Sequence, residues 1–226
     1  MTESTDYGQL WDFRRRVDEN YRQTRDSGIS ESSWNQWRDR RDTLFRTHPQ
    51  SPIPTRDRAT FTELPFAPYD AAWNLSGRFD RLEPVTIGVA HSGEDSTPMT
   101  RFARVSINSP RGPLALDVYW MNVYGGGVFI PFRDTTNGTL TYGGGRYLLD
   151  TAKSADLGDR DGDGDIVLDF NFAYHPSCTH DPRWSCPLAP EGNTLNFEVP
   201  VGEQMKPVDS RRSTVLPLGG TSEPAS

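Results

Sequence analysis

Hydrophobic and polar positions follow two periods along this chain. Near the start the period is helical. Leu10, Phe13, Val17 and Tyr21 fall on one face, with Arg14, Arg15, Arg16 and Glu19 outside it. Thr5 or Asp6 can cap this first helix, and Ser27-Gly28 ends it. A second helix opens at Ser30 as N-cap, with Glu31 in its first turn and Ile29 placed to staple onto Trp34. Trp34, Trp37, Arg41, Leu44 and Phe45 make one stripe, and the helix stops at Thr47-His48-Pro49 because a residue before proline avoids the helical region. Both helices are amphipathic and need a surface to cover.

From Gln50 to Asp70 the chain is Pro-rich and aromatic, which predicts an irregular loop laid across a core. The period then changes to two. Val85, Ile87 and Val89 alternate with polar or small residues, as do Ala103, Val105 and Ile107, then Leu114, Leu116, Val118 and Trp120. Tyr124 to Gly127 reads as a hairpin or bulge, with Val128 to Phe132 as its return. Thr139 to Leu149, Ile166 to Tyr174 and Leu195 to Val201 complete about seven strands. The expected fold is mainly β, an antiparallel barrel or sandwich with one or two N-terminal helices packed on it. The expected organisation is a helical arm over 1–48, a β domain over 49–206 and a disordered Ser-, Pro- and Gly-rich tail over 207–226.

Composition narrows the function classes. The 226 residues carry a net charge of −7. That argues against nonspecific nucleic-acid binding, which needs basic clusters. Only Lys153 and Lys206 are lysine, and the acids are mostly Asp. Such a surface suits a salt-rich cytoplasm, and it also follows from a GC-rich genome. No apolar run approaches the roughly 20 residues of a membrane span. The acidic start, Met1 to Asp6, lacks the basic-then-apolar pattern of a signal peptide, so a cytoplasmic protein is expected, with thiols in preference to a bridge.

Several motifs resemble those of one family. Arg41-Asp42 with Phe45 and His48-Pro49-Gln50-Ser51-Pro52 looks like the opening of domain-of-unknown-function family 1684, found in bacteria and archaea. Phe61-x-x-Leu64-x-Phe66-Ala67-Pro68-Tyr69-Asp70 is similar to its central motif. So are Phe132-Arg133-Asp134, Thr141 to Leu148, Leu168 to Cys178, Cys186-Pro187-Leu188 and Asn193. The resemblance runs from about Trp37 to Glu203. Two departures stand out: longer members have an extra segment before the Pro-rich loop, and members usually carry Asn where this chain has His175. The resemblance implies no particular activity.

Candidate chemistry therefore comes from the residues. Taken as one strand, Ile166 to Tyr174 puts Asp169 and Asn171 side by side on one face. If buried, they need partners, and Arg133 and Arg146 are the obvious ones. This yields two readings of Arg133, Arg146, Asp169, Asn171 and Tyr174. In one, an Arg146–Asp169 pair pins strand register. In the other, the five line a pocket where Arg holds an anion and Asp169 orients it or acts as a base. The second candidate site is His175, Cys178, His180 and Cys186, spaced H-x2-C-x-H-x5-C. All are zinc-ligand types, but the spacing lacks a Cys-x2-Cys knuckle, so zinc competes with two small buried thiols, or a redox-labile pair, beside exposed histidines; in either case the two cysteines are expected to approach one another. No other cofactor is expected.

Asp159 to Ile166 matches the first eight positions of a calcium loop, yet Phe170 stands where the bidentate Glu belongs, so an acidic hairpin turn is the simpler expectation. Gly143-Gly144-Gly145 and Gly125-Gly126-Gly127 lack the ending of a phosphate loop and suggest bulges or sheet corners. The leading expectation is a small-molecule-binding or enzymatic β domain. The rival is a non-catalytic metal- or partner-binding module centred on Cys178 and Cys186. Neither substrate, reaction nor oligomeric state is encoded legibly.

Overall fold

The computed structural model describes residues 6–205 except 161 and 163. The tail expected over 207–226 lies outside the described residues. Helix α1 (Tyr7–Asp26) is capped by Asp6, whose side chain accepts from Gln9 N–H at 3.0 Å. Helix α2 (Glu31–Thr47) starts with a reciprocal capping box between Ser30 and Ser33. A single turn, α3 (Thr55–Arg58), follows in the Pro-rich loop.

Eight strands are found among the described residues, in two antiparallel sheets that do not close, a sandwich-like arrangement. The larger sheet runs in chain order: β2 (Asp80–Ala90), β3 (Ser96–Ser109), β4 (Gly112–Met121), β5 (Val128–Phe132) and β6 (Arg146–Asp150). The smaller sheet has β8 (Asp165–Asp169) between β1 (Asn74–Gly77) and β7 (Asp159–Arg160). Ala103, Val105, Leu116, Val118, Phe132 and Leu168 are wholly buried in the core that joins the two sheets. On the other side Met99, Tyr119, Phe129, Tyr147 and Phe172 meet Tyr21, Trp34 and Trp37 of the two helices. The Trp stripe is thus the seat of the helical layer. Trp37 is fully buried and packs on Phe172 with ring centroids 4.9 Å apart.

Three expected strands come out differently, each for a local reason. Ile166 to Tyr174 is strand only as far as Asp169. There the Asp169 carboxylate accepts from Asn171 N–H at 2.9 Å and turns the chain into a 3-10 turn over Phe170–Phe172. Such side-chain-to-backbone bonding competes with a ladder. Thr139 to Leu149 becomes strand only at β6. Gly145, at φ +100°, makes the corner, and a Cβ there would meet the Phe132 carbonyl oxygen at 2.6 Å. Leu195 to Val201 forms no strand; Leu195 N–H bonds to Arg133 O, Thr135 N–H bonds to Phe197 O, and the side chains of Arg146 and Asp134 hold Val199 and Val201. Two strands were missed: β1, which pairs residue for residue with β8 from Asn74↔Asp169 to Gly77↔Ile166, and the two-residue β7 on the other edge of β8. The Asp159–Asp165 segment joins two strands, β7 and β8, with Arg160 opposite Asp165. Asp161 and Asp163 lie outside the described residues.

Candidate functional site

The residues expected to line one pocket separate into three places. Arg146 is 1 % exposed and pairs with Asp134, not Asp169. Its guanidinium also donates to the carbonyls of Val199 and Val201. Asp134 Oδ1 meanwhile accepts from Thr136 N–H and Oγ1–H. The arginine is therefore a clamp on the irregular 195–201 segment, and the expected Arg146–Asp169 pair is replaced by this one. Arg133 is half-buried at the same edge, with its backbone bonded to Asn193 and Leu195.

Asp169 and Asn171 form the second place. Asp169 Oδ1 accepts from the Asn171 amide at 2.7 Å. Asn171 in turn pairs both ways with the Asp70 backbone, and its carbonyl accepts from Trp34 Nε1 at 2.9 Å. Burial pushes the Asp169 carboxyl up to about 6, against the pull of its Asn171 hydrogen bonds. The pair staples the Pro-rich loop and α2 to the small sheet.

Tyr174 belongs to the third place, together with residues that the sequence did not single out as a group. Its hydroxyl lies 3.2 Å from Asp150 Oδ2, and the Arg41 guanidinium sits 4.9 Å from its ring centroid. Arg41 also packs on Phe45 and Trp37 and pairs with Glu203 at 3.1 Å. Glu203 is fully buried, and its Oε2 also accepts from His175 N–H at 3.0 Å. Burial alone would raise the Glu203 carboxyl; Arg41, His180 and His175 outweigh it and hold the group at about 2. His175 is 2 % exposed; its Nε2 accepts from Tyr142 N–H at 3.1 Å and its Nδ1 lies 3.8 Å from Glu203 Oε1. Burial drives its imidazole down to about 4, so it is neutral at pH 7. Its Nε2 is occupied by the Tyr142 N–H, and the ring is buried, so His175 holds the Tyr142 backbone in place.

The four residues proposed as zinc ligands also divide. His175 and His180 turn toward Glu203, with His180 Nε2 3.5 Å from Oε1. Cys178 Sγ–H donates to the Tyr142 hydroxyl at 3.7 Å, Cys186 is buried, and both thiols are free. Among the described residues no group of three or more His, Cys, Asp or Glu gathers to hold a metal ion.

Two cavities flank the Glu203 cluster. One, of about 430 Å³, is lined by Thr60, Phe61, Leu64, His175, His180 and Met205. The other, of about 340 Å³, lies between α1, the end of α2 and the 174–186 segment. Phe13, Val17, Phe45, Pro52, Tyr174 and Trp184 give it apolar walls, while Arg14, Arg41 and Lys153 supply cations and Cys186 a thiol. Arg41 is 8 % exposed, and its Nε has no hydrogen-bond partner among the described residues. The signal for Arg41 was present: a charge inside the Trp37–Phe45 stripe implies a buried partner. Glu203 gave no comparable signal.

This arrangement belongs to an open antiparallel sandwich carrying a helical layer, with an ion-pair cluster and a cavity where the two meet. Residues 59–204 match the model of the family "Protein of unknown function (DUF1684)", and the chain belongs to that family. It is similar to the uncharacterized protein from gene locus rrnAC0354 of the halophile Haloarcula marismortui, whose solution structure was determined by NMR. Identity is 32 %, covering 77 % of this chain and 94 % of that one, with a TM-score of 0.55. A search of curated proteins gives no match. No helix among the described residues is long and apolar enough to cross a membrane.

Proposed function

We propose that this protein binds a small molecule with an apolar body and an anionic head in the cavity between α1 and the 174–186 segment. One observation carries this: the buried Arg41 guanidinium stands on the wall of an apolar cavity with its Nε–H unpartnered. A buried donor left unpaired costs about 1–3 kcal/mol, so an acceptor delivered by a ligand is strongly favoured there. Lys153, bonded at 3.5 Å to Asp150, and Arg14 add positive potential at the same walls. The cavity volume of about 340 Å³ falls in the range of small-molecule sites. A cytoplasmic setting is proposed with it, since a thiol pair left unbridged suits a reducing compartment.

The test is calorimetric titration with octanoate and with octanol, on the wild type and on Val17→Trp, which fills the cavity from α1. Octanoate is expected to bind at least tenfold tighter than octanol, and Val17→Trp to abolish both. Equal affinities, or binding that survives Val17→Trp, would overturn the assignment. Native mass spectrometry of freshly purified protein would reveal a ligand carried through purification.

A further inference from the structure

A serine and a histidine meet at the rim of the same cavity, outside the Glu203 cluster. Ser185 is exposed and lines the cavity between α1 and the 174–186 segment. Its Oγ lies 3.2 Å from His91 Nδ1, and the other ring nitrogen, Nε2, lies 2.8 Å from Thr97 Oγ1. Both partners are fixed from the backbone. His91 follows β2, and its N–H donates to Asp95 O at 3.0 Å across the β2–β3 turn. The segment that carries Ser185 is stitched to this end of β2, the edge strand of the larger sheet. Cys186 O accepts from Ser92 N–H at 2.9 Å, Cys186 N–H donates to Ser92 Oγ at 3.1 Å, and Leu188 N–H donates to Ala90 O at 2.8 Å. Pro187 pairs with His91 in an isolated antiparallel bridge. Gly93, in the turn, leaves the hydroxyl room, since a Cβ there would meet Ser185 Oγ at 3.2 Å. Trp184, on the same cavity wall, has a buried Nε1–H with no hydrogen-bond partner among the described residues.

We infer that Ser185 and His91 form an acyl-transfer dyad that hydrolyses carboxylic esters whose acyl chain occupies this cavity, with Thr97 positioning the imidazole. The substrate class rests on the reading of the cavity given above; the dyad rests on its own geometry. A serine hydroxyl is a weak nucleophile until a base takes its proton. A base within about 2.6–3.2 Å, itself oriented by a third group, is the arrangement that activates it. His91 meets both conditions, with the Thr97 hydroxyl in the place that a carboxylate takes in a full triad. With its proton on Nε2 the ring donates to Thr97 and leaves the Nδ1 lone pair for the Ser185 hydroxyl. Burial lowers the imidazole below its ordinary value of 6.5, against the charge of Asp95 and together with that of Lys153, so the ring is neutral at pH 7. A hydroxyl orients the ring but stabilises the imidazolium less than a carboxylate does, so turnover is slow.

Ser185 Oγ attacks the ester carbonyl carbon as its proton passes to His91 Nδ1. The carbonyl oxygen becomes an oxyanion, for which the unpaired Trp184 Nε1–H is a donor on that wall. The bond from carbon to the alcohol oxygen breaks, and the alcohol leaves with the proton from His91. The acyl group is now an ester of Ser185. Water attacks the acyl carbon and gives its proton to His91, the bond to Ser185 Oγ breaks, and that proton returns to Oγ. One ester and one water give one alcohol and one carboxylic acid, which ionises at pH 7. The product has an apolar body and an anionic head, the class of ligand that Arg41 favours on the same wall.

The test follows p-nitrophenol release from p-nitrophenyl octanoate by wild type, Ser185→Ala, His91→Gln, Thr97→Val and Thr97→Ser. Peptide mass spectrometry locates the adduct of a fluorophosphonate probe. Wild type is expected to release a burst of about one equivalent and to carry its adduct on Ser185. Ser185→Ala and His91→Gln are expected to lose the burst and to slow by about 10²-fold or more. Thr97→Val is expected to lower kcat at unchanged KM, and Thr97→Ser to keep the wild-type value. Ser185 is exposed, so its alanine variant keeps the fold, and circular dichroism checks the others. Probe labelling of wild type needs no variant. Octanoate calorimetry on Ser185→Ala separates the two proposals, with binding retained while hydrolysis is lost. Octanoate bound by wild type with neither burst nor Ser185 adduct would overturn the dyad and leave the cavity reading standing. A Ser185 adduct without octanoate binding would overturn the cavity reading and the placement of the acyl chain. A burst that survives Ser185→Ala, or adducts confined to other residues, would overturn the dyad.

Discussion

Replacing Arg146 with Met tests the central clamp directly. Methionine keeps most of the buried volume and removes the guanidinium. Asp134 loses its ion-pair partner but keeps donors from Thr136 and from Val199 N–H at 3.3 Å. The carbonyls of Val199 and Val201 lose the donor they share. Breaking a buried pair from one side costs about 3–5 kcal/mol. The donors left on Asp134 pull the figure down, and the stranded carbonyls push it back, so about 4 kcal/mol is expected. For a chain of this size that corresponds to a fall in Tm of roughly 8–16 °C. Urea denaturation should show the same loss as a shift in midpoint at constant slope.

A double-mutant cycle identifies the partner. Arg146→Met should couple to Asp134→Ala by about 1–3 kcal/mol and add to Asp169→Ala within about 0.5 kcal/mol, because Arg146 and Asp169 share no hydrogen-bond partner. A loss below about 1 kcal/mol for Arg146→Met, or stronger coupling to Asp169 than to Asp134, would refute this account of the clamp.

Acid stability should turn on His175. Its folded-state value is depressed to about 4 from 6.5, so the unfolded chain takes up a proton between those values that the folded chain refuses, and stability falls as pH drops through this window. The loss is on the order of 3 kcal/mol, partly offset by Asp169, whose raised value of about 6 favours the fold as pH drops from there to 3.8. Glu203, depressed to about 2 from 4.5, adds its own loss below pH 4.5. His175→Asn can still offer an acceptor to Tyr142 N–H; urea midpoints from pH 7 to 4 should therefore fall less steeply in this variant, and parallel curves would refute the assignment. Gly145→Ala should lower the urea-unfolding free energy by about 2 kcal/mol or more, since φ +100° is strained for any side chain and the new Cβ meets the Phe132 carbonyl oxygen at 2.6 Å; a variant as stable as wild type would count against that corner.

How much of this was legible in the sequence follows the range of the interactions. The helices were readable because their caps and apolar stripe are local, and Asp6, Ser30 and the Trp34–Trp37 stripe act as their residue types suggest. The three long alternating segments became β2, β3 and β4, for the same reason. The Asp169–Tyr174 alternation misled because Asp169 turns the chain with its own side chain, so the facing assumed for Asn171 and Tyr174 lost its basis. Arg146 was readable as a buried charge in need of a partner. Its partner was not, because Asp134 sits in a loop turn whose residues follow no period. The Arg41–Glu203 pair was not either, since 162 residues separate its members.

That separation bears on how the chain is made. A ribosome working at roughly 5–20 residues per second places Glu203 some 8–30 s after Arg41. For that interval α2 exists with a buried-type arginine and no carboxylate to meet it, and the seat for the Trp stripe is incomplete because Phe172 and Tyr174 also arrive late. The nascent helical layer therefore presents Trp34, Trp37 and Phe45 to the surrounding medium until the end of the domain arrives. A chaperone that shields aromatic helix faces would raise the yield of this protein, and synthesis at lower temperature or from slow codons after residue 150 would depress it.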